Sequence, residues 1–152
     1  ALSSAASDVY KRQAYSREKA FMKCCEDKKI SGRVVYTDRL APLSEEFGNN
    51  ILELLKKNSD LDGIFATSDV MAANIIRACK KMGKRVPEDI SIVGFDDTWI
   101  STLTYPSITT IHQPVQEMCE YAIEAIVKKV KSEKVPSQVV FPVELIDRES
   151  TK

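Results

Sequence analysis

An apolar run, a helical pattern and a second apolar run follow one another closely in this chain, and together they limit how it can fold. The first run, residues 63–67, is rich in β-branched and aromatic side chains. The helical pattern covers residues 69–82, and the second run, residues 90–95, leads directly into Asp96 and Asp97. Strand, helix and strand at this spacing predict a βαβ unit, which has parallel strands and a right-handed crossover.

Polar side chains follow both predicted strands at the point where each strand ends. Ser68 and Asp69 come directly after the first strand, and Asp96 and Asp97 come directly after the second. In open parallel sheets the ligand binds outside the carboxyl ends of the strands. The order of the elements alone therefore predicts a binding site at this edge of the sheet.

Periodicity predicts the remaining elements of the chain. They are helices over residues 16–28, 44–57 and 115–131, and extended runs over residues 33–37, 107–111 and 138–146. The last helix has an apolar stripe that we expect to be buried, formed by Met118, Cys119, Ala122, Ile126, Val127 and Val130. The whole pattern predicts an α/β fold, a Rossmann-like and mainly parallel sheet with helices on both faces.

Residues 1–13 differ from everything that follows them. They are small and polar, and they have no sustained apolar period and no apolar core of a signal peptide. We expect this segment to be disordered or an artefactual leader, and we place the domain at residues 14–152. The alternative is an ordinary flexible terminus.

Composition and charge exclude several classes of protein. With 152 residues, of which 43% are hydrophobic, the chain suits one soluble globular domain. Its formal net charge is zero and no window is strongly basic, so we do not expect this chain by itself to bind nucleic acid. No apolar run approaches the roughly 20 residues of a membrane helix, so no membrane partner is expected.

The residue patterns of common catalytic and metal sites do not occur. Cys24 and Cys25 are adjacent, and neither they nor Cys79 and Cys119 have the spacing of a disulfide framework or a zinc site. We expect them to be reduced, buried thiols of a cytosolic protein. The two aspartates after the second strand leave the strand end in different directions, so they do not form an acid/base pair across a bond. With no phosphate loop or nucleophile elbow either, we predict no enzyme, no cofactor and no metal.

Three segments, in order along the chain, carry a resemblance to a known family. They read FATSDVMAANIIRACKKMGKRVPEDISIVGFDD, PSITTIHQP and ELIDREST. Over about residues 16–151 the chain resembles the effector-binding core of the LacI/GalR family of bacterial transcription regulators. The resemblance implies a periplasmic-binding-protein-like fold of type I, in which two Rossmann-like subdomains hold a small ligand between them.

The resemblance places this chain in the C-terminal subdomain of such a core. The helix-turn-helix, the hinge helix and nearly all of the N-terminal subdomain would precede Ser16. The helix at residues 115–131 would belong to that missing subdomain, so the chain would carry half of a ligand cleft. The family also implies a cytoplasmic protein, a homodimer, and operator binding through the missing N-terminal region alone.

The function implied by the resemblance is sensing of a small effector, a sugar or related metabolite, that controls operator affinity. The alternative is a sugar-binding protein of an ABC transporter, which has the same fold. A helix-turn-helix upstream would identify the regulator, and a signal peptide upstream would identify the transporter. The four cysteines and the segment LIDREST favour the regulator.

Four residues match positions at which members of the family bind their ligands. Asp96 would accept hydrogen bonds from a sugar hydroxyl or a base, because a carboxylate accepts through two oxygens. Arg17 would clamp vicinal hydroxyls or a phosphate with its guanidinium fork. Ser68 stands where some relatives have a ligand-binding Asn. Arg39 stands where some relatives pack an aromatic ring on the ligand, and an arginine there suits an anionic or highly hydroxylated effector.

Each of these assignments has a structural alternative. Asp96 would instead cap the following turn, and Arg17 would be a solvated arginine at a helix start. We expect Asp69 to cap the helix that follows it and Asp97 to cap its own turn. His112, the single histidine, is expected to be an interface or structural residue.

The implied dimer would form through residues 70–82 and 98–104. Met71, Ile75 and Trp99 are the apolar side chains that we expect to anchor it.

Overall fold

A computed structural model describes residues 2–36 and 44–152, with side chains from residue 15 onward. The described residues form two compact units, one before and one after residues 37–43. The candidate site residue Arg39 lies outside the described residues, so its predicted role stays a prediction.

The first unit contains one long helix. Helix α1 spans Leu2–Lys28, so it begins well before Ser16, where we predicted the start of regular structure. The extension includes residues 2–13, and whether they are an artefactual leader stays a prediction. The strand predicted over residues 33–37 is wrong for residues 33–36, which have no regular secondary structure. A β-branched run forms a strand only where a neighbouring strand completes its hydrogen bonds.

The second unit contains a four-stranded sheet in the order β1-β2-β3-β4. Strands β1 (Gly63–Phe65), β2 (Ser91–Asp96) and β3 (Thr109–His112) are parallel to one another, and β4 (Glu144–Ile146) is antiparallel to β3. The predicted βαβ unit and the mainly parallel sheet are therefore confirmed. The last strand is much shorter than predicted, whereas the placement of helices on both faces stays a prediction.

Two helices form the core with the sheet. Helix α2 (Glu45–Lys57) begins after the N-cap Ser44, and helix α3 (Asp69–Lys81) is followed by Gly83, whose φ of 72° suits glycine after a helix end. Helix α2 packs on α3, and α3 packs on β2. The buried apolar core consists of Phe47, Ile51, Leu55, Ala66, Ala72, Ile75, Ile76, Ala78, Cys79, Ile90, Ile92 and Ile108.

Two further helices follow strands β2 and β3. The short helix α4 (Ile100–Leu103) comes after β2, and α5 (Val115–Val130) comes after β3. The prediction that α5 has a buried stripe is wrong, because none of its residues is buried. Tyr121 makes an edge contact with Phe141, but Ile126 and Val130 remain mostly exposed. An amphipathic pattern shows that a face needs a partner, but it does not identify the partner.

The burial of Ile75 and of two cysteines differs from what we predicted. Ile75 lies in the core and is only 6% exposed, so it is not an anchor of a dimer. Cys25 and Cys79 are buried, but Cys24 and Cys119 are exposed, contrary to the prediction of buried thiols. Among the described residues, no helix combines the length and the hydropathy needed to cross a lipid bilayer.

Candidate functional site

Asp96 lies at the carboxyl end of β2 and is half-buried. Its backbone φ is 102°, a left-handed conformation that non-glycine residues rarely adopt and that costs about 1–3 kcal/mol. The side-chain amide of Gln113, directly after β3, donates to Asp96 Oδ1 from 2.6 Å. The carboxylate is therefore oriented by the neighbouring strand, as a preformed hydrogen-bond acceptor must be.

Asp97 is the centre of a bonded cluster that joins this strand end to the C-terminal segment. Its Oδ1 accepts from Arg148 Nη2 at 2.7 Å and from Ser101 Oγ at 3.3 Å, and its Oδ2 lies 2.9 Å from His112 Nδ1. Burial is the largest influence and raises the pKa of Asp97, but the hydrogen bonds from Arg148 and His112 and the charge of Arg148 together lower it below its ordinary value. The prediction that Asp97 caps its turn is wrong, because no side chain caps the backbone at the start of α4 and the Asp97 carboxylate binds the side chains of Arg148, His112 and Ser101 instead.

Arg148 holds this cluster from the C-terminal segment. Its Nη1 donates to Ser101 Oγ at 3.0 Å and to the carbonyl of Ile108 at 2.9 Å, in addition to the bond to Asp97. The Arg148 and Asp97 side chains are only 18% and 17% exposed. The pair therefore fixes the loop after β2 against β3 in a largely water-excluded position.

Ser68, not Asp69 as predicted, caps the start of α3, while the predicted ligand contact of Ser68 stays a prediction. Ser68 is the N-cap, since its Oγ accepts from the backbone N–H of Met71 at 3.3 Å. Asp69 is completely buried and does not cap the helix. Its oxygens accept from Thr98 and Thr110 instead. The backbone rule that selects small polar residues at helix starts does not distinguish between two such residues in succession.

The structure describes three of the four predicted site residues. Asp96 and Ser68 both lie at the carboxyl edge of the parallel strands, in the second unit. Arg17 is part of α1 in the first unit and takes part in an interaction of its own, so its role at the site stays a prediction.

Sequence reasoning missed Gln113 and Arg148 as members of this site. Both lie in the segments that carry the resemblance, Gln113 in TTIHQP and Arg148 in LIDREST. Arg148 meets Asp97 across 51 positions of sequence, so no local pattern connects them. The two residues are brought together because β4, which precedes Arg148, pairs with β3 in the sheet.

The chemistry available at this edge is hydrogen bonding to a polar ligand. Carboxylate, hydroxyl and amide groups from β2, α3 and the segment after β3 meet there. In the described residues, no three His, Cys, Asp or Glu side chains are grouped so that they could hold a metal ion. A separate groove of about 420 Å³ runs along α5 and is mostly apolar, lined by Ala125, Ile126, Lys129, Val130 and Val135.

Comparison with known proteins places this arrangement in a family. Residues 5–151 match the sequence profile of the family described as "Periplasmic binding protein-like domain". The ribose operon repressor of Halalkalibacterium halodurans is 31% identical over 140 residues, which cover 91% of this chain and 41% of that protein. The chain therefore spans less than half the length of this relative.

Solved structures show the same fold. A periplasmic binding protein/LacI transcriptional regulator from Alkaliphilus metalliredigens QYMF, complexed with D-xylulofuranose, superposes with a TM-score of 0.80 at 31% identity. The match covers 90% of this chain and 51% of that one. The lac repressor dimer bound to operator and the anti-inducer ONPF gives a TM-score of 0.65 at 28% identity, over 71% of this chain and 38% of that one.

These relatives are transcription regulators: two are repressors, and the third is a periplasmic binding protein/LacI transcriptional regulator. The match to the family profile covers nearly the whole chain. The chain belongs to the periplasmic binding protein-like domain family, and its homologues are regulators of the LacI type.

Proposed function

We propose that this chain is the sensing part of a LacI-type transcription regulator and that Asp96 binds its effector, a sugar or a related small metabolite. The observation that carries the proposal is the carboxylate of Asp96, which is oriented by Gln113 at the carboxyl end of a parallel strand. A hydrogen bond to such a charged acceptor contributes about 1.5–3 kcal/mol. The complex of the Alkaliphilus relative with D-xylulofuranose supports a polyhydroxylated ligand.

The other candidate residues remain proposed ligand contacts. The hydroxyl of Ser68 accepts a hydrogen bond from Met71 and has its own hydrogen to donate to a ligand oxygen. For Arg17 and Arg39 we keep the proposal drawn from the resemblance, that their guanidinium groups bind vicinal hydroxyls or an anionic substituent of the effector.

In this proposal the effector binds between this subdomain and a second subdomain of the full-length protein. Helix α5 has an exposed apolar face, which includes Ile123, Ile126 and Val130. In the proposal this helix belongs to the second subdomain, and its apolar face packs against the rest of that subdomain. The match covers only 41% of the ribose operon repressor, which supports a longer protein with a second subdomain and a helix-turn-helix. Effector binding between the subdomains then changes how tightly the helix-turn-helix binds operator DNA.

The proposal also covers the location, the oligomeric state and the activity of the protein. It acts in the cytoplasm, forms a homodimer and catalyses no reaction. The operator-bound lac repressor dimer supports the dimer and the DNA partner. The transporter alternative has no such support, because the matching relatives are regulators.

Titration of the full-length protein with a panel of D-ribose, D-xylulose, cellobiose and lactose tests the function. We expect one of these sugars to bind saturably in a calorimeter. The same sugar is expected to change the affinity for the intergenic DNA next to the protein's own gene by about 5- to 150-fold, the usual range of allosteric coupling. Binding of a sugar with no change in DNA affinity would favour the transporter alternative, and no binding by any sugar would contradict the proposed effector class.

A further inference from the structure

A completely buried carboxylate lies next to the strand ends that form the candidate site. Oδ2 of Asp69 accepts from the backbone N–H of Thr98 at 2.6 Å and from the hydroxyl of Thr98 at 3.0 Å. Its Oδ1 accepts from the hydroxyl of Thr110 at 2.5 Å. One side chain therefore connects the start of α3, the loop after β2 and the middle of β3.

The same carboxylate also packs directly on strand β2. A Cβ atom added to Gly94 would collide with Asp69 Oδ1, and it would lie 3.0 Å from Ile108 and 3.3 Å from Thr110. Glycine at position 94 therefore makes room for Asp69, two residues before Asp96. The carboxylate thus contacts the chain on both sides of Asp96, at Gly94 and at Thr98.

We propose that Asp69 is a positioning residue of the effector site, which fixes the direction of the Asp96 carboxylate. The inference rests on the proposed function, in which Asp96 binds the effector. The φ of 102° at Asp96 is unfavourable, and such conformations persist only where the surrounding structure imposes them. When the hydrogen bonds to Asp69 are lost, the Asp96 side chain adopts other directions. The effector then binds more weakly, because Asp96 must be ordered on binding.

Hydrogen exchange on the full-length protein, read by mass spectrometry, tests the positioning role without any effector. In Asp69→Asn, an amide NH2 must face one of the donors that the carboxylate accepted from. We expect the segment of residues 97–103 to exchange at least tenfold faster than in wild type, while residues 90–95 keep their rate. Thr110→Val, which removes one donor and preserves the shape, is expected to give the same pattern more weakly.

Ser150→Ala is the matched control for a loss of buried hydrogen bonds. Ser150 is also completely buried, and its Oγ accepts from Thr109 N–H and donates to the carbonyl of Ile92, away from the Asp96 loop. This variant is expected to accelerate exchange in both segments together. If Asp69→Asn does the same, or leaves residues 97–103 unchanged, Asp69 is only a residue of the folded core and the inference is wrong.

A double-mutant cycle measures whether Asp69 acts through Asp96. The probe is whichever of D-ribose, D-xylulose, cellobiose and lactose the wild-type protein binds most tightly. We expect Asp69→Asn to weaken binding about tenfold alone and to add less than twofold in the Asp96→Asn background. Additive losses would overturn the inference. If wild type binds none of the four sugars, the proposed function fails, and the exchange comparison still decides the role of Asp69.

Discussion

Replacement of Arg148 by Met removes the group that fixes the loop after β2, and its cost follows from the contacts. The substitution loses three hydrogen bonds, to Asp97 at 2.7 Å, to Ser101 at 3.0 Å and to Ile108 at 2.9 Å. Asp97 keeps only Ser101 and His112 as partners. Breaking a fully buried ion pair from one side costs about 3–5 kcal/mol, and this pair is about one-sixth exposed, so we expect a loss of about 2–4 kcal/mol in the free energy of unfolding.

Urea unfolding of the full-length protein, followed by circular dichroism, measures this loss. The matched control is Arg85→Met, because Arg85 pairs with Asp89 at 2.8 Å but is 71% exposed, and surface pairs contribute little. Asp97→Asn together with Arg148→Met should cost less than the sum of the two single changes, because both remove the same interaction. If Arg148→Met lowers the free energy of unfolding no more than Arg85→Met does, the cluster around Asp97 does not stabilise this edge of the sheet.

Three further predictions concern pH, assembly and DNA. The pKa of Asp97 is lowered in the folded protein, so its contribution to stability is present above the ordinary pKa of 3.8 and is lost as the pH falls through the lower folded value. Wild type should therefore lose more stability than Asp97→Asn below about pH 4 in urea unfolding, and equal losses would refute this. Trp99 and Leu103 are each 73% exposed, and Trp99→Lys and Leu103→Lys should weaken self-association of the full-length protein. An unchanged sedimentation coefficient would count against that surface. The 152-residue chain alone, with zero net charge, should cause no sequence-specific shift of operator DNA, and a salt-sensitive specific shift would contradict this.

The βαβ unit could be predicted because its signals are local. Alternating and helical apolar periods, the small polar residues before α3 and Gly83 after it lie within a short stretch of sequence. The position of Asp96 at a strand end could be predicted for the same reason. Its role in ligand binding came from the family resemblance and stays a proposal.

The remaining features depend on contacts between distant residues. Arg148 lies 51 positions from Asp97, and Thr98 lies 29 positions from Asp69, so the partners of these carboxylates follow only from the order of strands in the sheet. The apolar pattern of α5 predicts a helix correctly, but whether its apolar face is covered depends on a surface that the pattern does not encode.

The central claim is that Asp96 binds the effector, and calorimetric titration of Asp96→Asn tests it most directly. The control is Asp89→Asn, which makes the same chemical change before β2 rather than at its end, at an exposed pair with Arg85. With the sugar that wild type binds most tightly, we expect Asp96→Asn to weaken binding about ten- to a hundredfold, the equivalent of about 1.5–3 kcal/mol, and Asp89→Asn to bind as wild type does. If Asp96→Asn binds that sugar with wild-type affinity, Asp96 only caps its turn and the assigned site is wrong.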